Sequence, residues 1–505
     1  MLMSGQVPPH TCVAESRRGL WRGGLVGIVL VVLFGGLAPP ALGTADSLRV
    51  FTRTLDARVP AWLQRYGVPG AALALVRDGR VVWTGAYGVA DRASGRAMTT
   101  DAVFRAESIS KSVTAWGVLR LVAEGRLGLD APVRRSLDGP IAAALDTQGA
   151  AVTVRHLLSH TAGLPLGPVG PGAEHPPAGP TPSLRSYLER EVRLVRPPGA
   201  RFAYSNVGFN LLERIVGRVT DREFTAYMDA AVLGPMGMTR SRFGAADSLA
   251  AAMPVGYDLQ GRPVAPYVYA ATAAGGLRAS APDVARFVAA LVARGDSVVA
   301  GLDGAQRRQL SRPQAPVPGL LGVVAEAYGL GHFVETLPDG RRAVWHGGQG
   351  HGWMAHMHAV PASGDGLVIL TNSQRSWPFF ARVLGVWARW AGLETVGMTW
   401  VTTATRGAQG LVAAVGVWSL WMVYRLVTGL QRGRRRWAPT ASTAWGWRLL
   451  QAGVGGAVLL GLVWSVLQPY LTLAAVFPTV IGWAGRTFLL WAVLLLLSAA
   501  CPDVR

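Results

Sequence analysis

Lys111 is the only lysine among 505 residues, and the other 48 basic residues are all arginine. It stands three positions after a serine, in Ser108-Ile109-Ser110-Lys111, a spacing that puts both side chains on one face of a helical turn. Arginine stays protonated, whereas burial can bring a lysine near neutrality and make it a base. Ser108 is therefore a candidate nucleophile and Lys111 its proton acceptor. The partial positive charge at a helix start favours a developing alkoxide. Two further segments carry usable chemistry. Tyr204-Ser205-Asn206 follows the turn Pro197-Pro198-Gly199. A phenol with a pKa of ~10 needs a cationic neighbour to act as a base, and an asparagine amide both donates and accepts. His346-Gly347-Gly348-Gln349 follows Val344-Trp345 and reads as a strand edge whose glycines let backbone N–H groups approach a substrate. Taken singly, each has a plainer explanation: a solvated helix face, a chance triplet, a capped histidine.

The elements that must position these residues read as an α+β domain. Ala71–Val76 and Val81–Trp83 flank Asp78-Gly79, a hairpin signal. From Ser108, apolar residues recur at Val113, Trp116, Leu119 and Val122 up to Gly125, predicting a helix. Further helices are expected at Phe209–Arg218 and Pro282–Arg294, and a late antiparallel hairpin at Met354–Val360 and Gly366–Leu370. Gly163–Pro182 holds seven prolines and five glycines, too many for a packed element, and reads as a surface loop or lid.

The two ends predict a membrane topology. Arg17, Arg18 and Arg22 precede the apolar run Gly23–Leu37 and Ala41-Leu42-Gly43, the pattern of an export signal, with an uncleaved anchor as the alternative. Gly407–Val427 and Leu449–Leu467 are long and uncharged enough to cross a bilayer as helices, and Val480–Ala500 is a third candidate. A re-entrant segment over Leu471–Trp483 is the alternative there. The intervening loop carries Arg432, Arg434, Arg435 and Arg436, with Arg425 and Arg448 beside it, which sets that loop in the cytoplasm. The expected organisation is a signal or anchor over residues 1–43, an extracytoplasmic domain over 44–400, and a C-terminal membrane domain over 401–505 with two or three spans.

Half the residues are hydrophobic and 15% are charged, which excludes a disordered chain. The net charge of +20 suggests a polyanion, but it divides into +2 for residues 1–43, +8 for 401–505 and +10 between them. Half of the excess belongs to signal and anchor, so no nucleic acid is expected. Cys12 and Cys501 lie at opposite ends and support neither a disulfide framework nor a thiolate metal site. His351, His356 and His358 invite a metal reading, but the nearest acidic residue in sequence, Asp365, lies beyond the predicted turn, and no metal or cofactor is expected.

In this order and spacing the three segments resemble the serine β-lactamase and penicillin-binding protein superfamily, which includes class C β-lactamases, D-alanyl-D-alanine carboxypeptidases and esterases. The resemblance covers about residues 55–395. Thr153–Leu164, Ala274-Gly275-Gly276-Leu277 and Leu367–Asn372 are similar to further landmarks, with His156 and His160 structural. The resemblance implies a β-lactamase/transpeptidase-like domain, with an antiparallel sheet flanked by helices and a helical subdomain. It implies Ser108 as the acylated nucleophile, Lys111 as its proton acceptor or as the cation that keeps Tyr204 basic, and Tyr204 as the base that activates Ser108 and later the water. Asn206, His346, Gly348 and Gln349 would bind substrate, with the backbone N–H groups of Ser108 and Gln349 as the oxyanion hole. His346 stands where many relatives carry a lysine that anchors a substrate carboxylate. That change weakens the case for penicillin hydrolysis and leaves peptidase, amidase or esterase action, plausibly on cell-wall fragments containing D-amino acids. A membrane-bound ligand sensor or penicillin-binding protein with little turnover is the alternative.

Overall fold

The computed structural model describes residues 44–146, 151–245, 247–440, 444–467 and 475–503. The predicted export signal lies outside these residues, as does the first part of the predicted re-entrant segment. The main sheet is built from β1 (Gly70–Arg77), β2 (Arg80–Gly88), β6 (Ala315–Pro316), β7 (Ala327–Tyr328), β8 (Phe333–Thr336), β9 (Arg342–Gly350), β10 (Trp353–Val360) and β11 (Asp365–Thr371). Its order is β2-β1-β11-β10-β9-β8-β7-β6, antiparallel throughout. A smaller sheet orders β3 (Val103–Arg105), β5 (Leu277–Ser280) and β4 (Arg242–Phe243) as β3-β5-β4.

Strand alternation explains the layers. On β1 and β11, Leu73, Leu75, Leu367 and Ile369 face one cluster, shared with α1 (Thr44–Tyr66) and the later helix Trp377–Trp390. Ala72, Ala74, Val368 and Leu370 face the other, shared with α2 (Ile109–Ala123), α3 (Asn206–Thr220) and α4 (Ala281–Leu291). With helices on both faces, β1, β10 and β11 are buried almost end to end, so they read as apolar runs more than as alternating ones. The β1–β2 hairpin turns at Asp78-Gly79 as predicted, and both residues have positive φ, 49° and 69°, as a two-residue hairpin turn requires.

Helix α2 follows its predicted start and runs through the centre of the domain, with every residue from Ile109 to Leu119 buried. Helix α3 begins three residues before the predicted Phe209. The Ser205 hydroxyl accepts the Gly208 N–H at 3.1 Å, and this N-cap draws Asn206 into the first turn. The Gly163–Pro182 loop is irregular apart from a short turn at Gly170–Gly172. It is tied to the domain by two backbone bonds between His175 and Val268, of 3.0 and 2.8 Å.

The Trp377–Trp390 helix (α5) leads through a turn at Gly397–Thr399 into α6 (Trp400–Gln431), followed by α7 (Trp445–Leu467) and α8 (Ile481–Ala500). All three of these last helices are long and apolar enough to cross a membrane. At 1.5 Å per residue α6 measures about 48 Å, more than the ~30 Å that a membrane span needs. Helix α8 packs against α6 and α7. Arg448 donates to the carbonyls of Ala499, Ala438 and Pro439, and Arg435 pairs with Asp503 at 3.2 Å. Two arginines of the predicted orienting cluster thus also lock one end of the bundle.

Leu73 is fully buried between β1 and the α1–α5 layer. Leu73→Ala should cost ~2–5 kcal/mol, read as a fall in the denaturation midpoint of the purified chain. A loss below ~1 kcal/mol would show that this layer is not close-packed.

Candidate active site

The local chain around Ser108 is held under strain. Glu107 is buried with φ 49°, a left-handed conformation that non-glycine residues adopt only when surroundings enforce it. Here the surroundings are Arg105, whose Nε donates to Glu107 Oε1 at 3.0 Å, and the hydroxyls of Tyr267 and Tyr269, which donate at 3.2 and 2.9 Å. The kink places Ser108 at the N-cap position of α2, where its hydroxyl makes no capping bond to the helix.

One turn along, Lys111 is buried, with Nζ donating to Ser108 Oγ at 3.0 Å and to the Ala274 carbonyl at 2.7 Å. Burial brings its amine down to about 7, against the opposing pull of the Glu107 charge. Tyr204 also hydrogen-bonds Ser108, but burial pushes its phenol upward more than that bond lowers it. Lys111 Nζ lies 4.9 Å from the Tyr204 ring centroid. The structure thus brings Ser108, Lys111 and Tyr204 to one point.

The Ala274 carbonyl is itself fixed. Thr114 Oγ1 donates to the Ala273 carbonyl, Asn210 Oδ1 accepts the Ala274 N–H, and Glu213 Oε2 accepts the Thr272 and Ala273 N–H groups. Burial raises the Glu213 carboxyl to about 7, even with these donors. Sequence reasoning missed both Asn210 and Glu213. Their spacing from Asn206, four and then three residues along α3, was the available signal, because it places all three on one helix face.

His160 brackets Tyr204, a function that its sequence landmark did not suggest. Its carbonyl accepts the Ala203 N–H at 2.7 Å, its Nδ1 accepts the Ser205 N–H at 3.1 Å, and its ring lies 4.2 Å from that of Tyr204. Its φ of 57° aims carbonyl and ring at the same strand of chain.

The opposite wall is β9. Its pairing with β8 ends at Phe333↔Trp345, so His346–Gly350 form the open edge expected from the glycines. The edge lies against the nucleophile turn: a Cβ on Gly348 would sit 2.2 Å from the Ala106 carbonyl oxygen, and one on Gly350 2.3 Å from the Glu107 carboxyl carbon. Gln349 reaches Trp377, whose Nε1 donates to Gln349 Oε1 at 3.1 Å. His346 is fully engaged. Its Nδ1 faces the Gly347 carbonyl at 2.8 Å and must donate, leaving Nε2 to accept from the Tyr328 hydroxyl at 3.1 Å. Burial and the nearby Lys111 hold its pKa well below the usual range, so it is a neutral group and not the partly charged one its exposure on a strand edge would give.

Ser108, Tyr204, Asn206, His346 and Gln349 all line one cavity of about 380 Å³. His351 also lines it, whereas His356 and His358 are buried elsewhere, 3.4 Å apart, with His358 facing Glu335 at 3.0 Å. The three histidines do not converge.

Fold and cavity together define a serine hydrolase of the β-lactamase-like superfamily. A model described as "Beta-lactamase" matches residues 55–388, and the chain belongs to that family. Esterase EstB of Burkholderia gladioli is 30% identical over 379 residues, 66% of this chain and 93% of the esterase. The octameric penicillin-binding protein homologue from Pyrococcus abyssi superposes with a TM-score of 0.56 at 25% identity, over 66% of this chain and 77% of that one. A β-lactamase/D-alanine carboxypeptidase from Pseudomonas syringae shares the fold, with a TM-score of 0.54 at 22% identity over 68% and 98%.

The bracket on Tyr204 is testable. His160→Asn keeps an acceptor near the Nδ1 position and tolerates positive φ, whereas His160→Phe keeps only the ring stack. Orphaning the Ser205 N–H costs ~1–3 kcal/mol, so the Phe variant should react with a fluorophosphonate about tenfold more slowly or worse, and the Asn variant within about threefold of the parent. Equal rates for both would remove the bracket from the description.

Proposed function

We propose that this protein is a membrane-anchored, extracytoplasmic serine hydrolase that forms an acyl-enzyme at Ser108 on esters or amides. The observation that carries this reading is the 3.0 Å contact between Ser108 Oγ and a buried amine lowered to about 7. Near neutral pH a good share of Lys111 is unprotonated. As Oγ attacks the carbonyl, Lys111 takes its proton and returns it to the leaving alcohol or amine. Water then attacks the acyl-serine ester, giving up its proton to Lys111, with Tyr204 relaying to Ser108 Oγ as it leaves. Backbone N–H groups of Ser108 and Gln349 receive the developing oxyanion, each worth ~3–4 kcal/mol if placed as in other acyl-transfer sites. Asn206, in the first turn of α3, orients the acyl group, and Gly348 keeps the β9 edge close.

His346 shapes substrate choice. A neutral, doubly bonded imidazole offers no cation to a carboxylate, which favours substrates without a free carboxylate at that end over penicillins and carboxylate-terminated peptides. The esterase relative is consistent with this. The anchor rests on α6, α7 and α8, and the arginines of the loop between α6 and α7 favour the cytoplasm for that loop and the outside for the domain.

Incubation with a fluorophosphonate should add one adduct mass on Ser108, absent in Ser108→Ala; no adduct, or one that persists in the variant, overturns the reading. Lys111→Arg puts a permanently protonated group in place of the amine, cannot release a proton, and should lower acylation by ~10³-fold or more. Because the reactive amine is the unprotonated one, kcat/KM for a neutral ester should rise with pH through a limb near 7. A flat profile from pH 5.5 to 8.5 would exclude Lys111 as the titrating base.

A further inference from the structure

A second cavity, of about 180 Å³, lies between α1, α5 and the start of α6 and shares no residue with the Ser108 pocket. It is too small for a drug-sized ligand, and its walls are basic. Arg58 comes from α1, and Arg382 and Arg389, two helical turns apart, come from one face of α5. Arg382 Nε donates to the Tyr66 hydroxyl at 3.2 Å, which fixes that guanidinium and leaves its Nη groups over. Among the described residues none of the three is in an ion pair, and the side chains of Arg58 and Arg389 make no hydrogen bond. Like charges around one small cavity repel one another, and an anion seated among them removes that cost. The hydroxyls on the wall are already spent: Thr395 donates to Thr399, Thr399 to the Val396 carbonyl and Thr402 to the Thr399 carbonyl. The guanidinium groups are thus the donors available, and their forked N–H groups match the oxygens of a phosphate. Glu394 also lines the cavity, so three arginines less one glutamate leave an excess of two positive charges. Its carboxylate suits a ligand that carries hydroxyls beside its phosphate.

The place of the cavity in the chain points to the membrane as the source of such a phosphate. Thr402, on the cavity wall, precedes Gly407, the start of the apolar run of α6, by five residues, or ~8 Å along a helix axis. The headgroup layer on each side of the ~30 Å hydrocarbon core is itself ~5–8 Å deep. Trp400, 57% exposed, and the exposed Arg406 stand on the same stretch, and both residue types settle at a membrane–water interface. We propose that this cavity binds the phosphate of an anionic, hydroxyl-bearing phospholipid headgroup in the leaflet that α6 enters, seating the hydrolase domain against the membrane surface. The proposal rests on the membrane-anchored reading of α6 and not on the chemistry at Ser108.

The test is native mass spectrometry of the full-length protein released from micelles doped with phosphatidylglycerol and phosphatidylcholine of matched chains. The parent should retain one phosphatidylglycerol more than the double variant Arg58→Gln/Arg389→Gln. Arg65→Gln/Arg406→Gln, which removes the same charge from α1 and α6 outside the cavity, should match the parent. The arginine loop between α6 and α7 is intact in all three, so whatever it binds cancels. All four side chains are exposed, and an unchanged thermal midpoint verifies that the fold is intact. Calorimetry with inorganic phosphate in zwitterionic micelles separates the sources: parent and cavity variant should give the same heats, because a free anion lacks the chains that hold a lipid at the cavity. Equal lipid retention in parent and cavity variant, or retention lost alike in both doubles, overturns the site. Arg58- and Arg389-dependent binding of free phosphate without lipid retention overturns the lipid as its occupant. Carbonate washing of membranes tests the anchor separately: a chain that is released overturns the anchored reading and the lipid with it, whereas a chain that stays but shows no cavity-dependent lipid overturns the site alone.

Discussion

The domain is organised around one buried amine. A lysine removed from water, with no carboxylate in hydrogen-bond contact, is tolerable only if its proton can leave and its remaining donors are satisfied. Here the two fixed acceptors are Ser108 Oγ and the Ala274 carbonyl. The second needs Thr114 from α2 and Asn210 and Glu213 from α3 to hold the 272–274 segment. The first needs the strained Glu107 and its arginine and tyrosine partners. Two helices, a loop and a left-handed residue therefore serve the position of a single nitrogen.

What could be read along the chain was what depends on short spacing. The three-residue step from Ser108 to Lys111, the Asp78-Gly79 turn and the glycines of β9 each encode local geometry, and each lies where that geometry is used. The family resemblance gathered the distant segments. What was not legible depends on contacts between residues far apart in sequence. Glu174 and His351 are 177 positions apart, and nothing in a proline-rich loop announces that its one carboxylate will be buried. The neutrality of His346 was not legible for the same reason: burial and the nearby Lys111 set it, and only the fold brings them together. Helix α3 began early because the Ser205 cap outweighed the apolar periodicity that pointed to Phe209.

The pocket combines features that pull in different directions. Its β9 edge offers main-chain hydrogen bonds, which suit any extended acyl backbone and discriminate little. Discrimination must come from the other walls, where His346 is held neutral and the Pro/Gly-rich loop brings in Glu174, paired with His351.

That Lys111 is the single lysine has one more consequence. Apart from the chain's terminal amine, an amine-seeking electrophile meets a single target in the whole protein, and that target touches the Ser108 hydroxyl. Its lowered pKa makes it nucleophilic near neutral pH, where ordinary surface lysines are silent. The chain thus carries a single side-chain amine to label, fully buried and absent from the cavity lining, so burial and not competition among side chains governs its access.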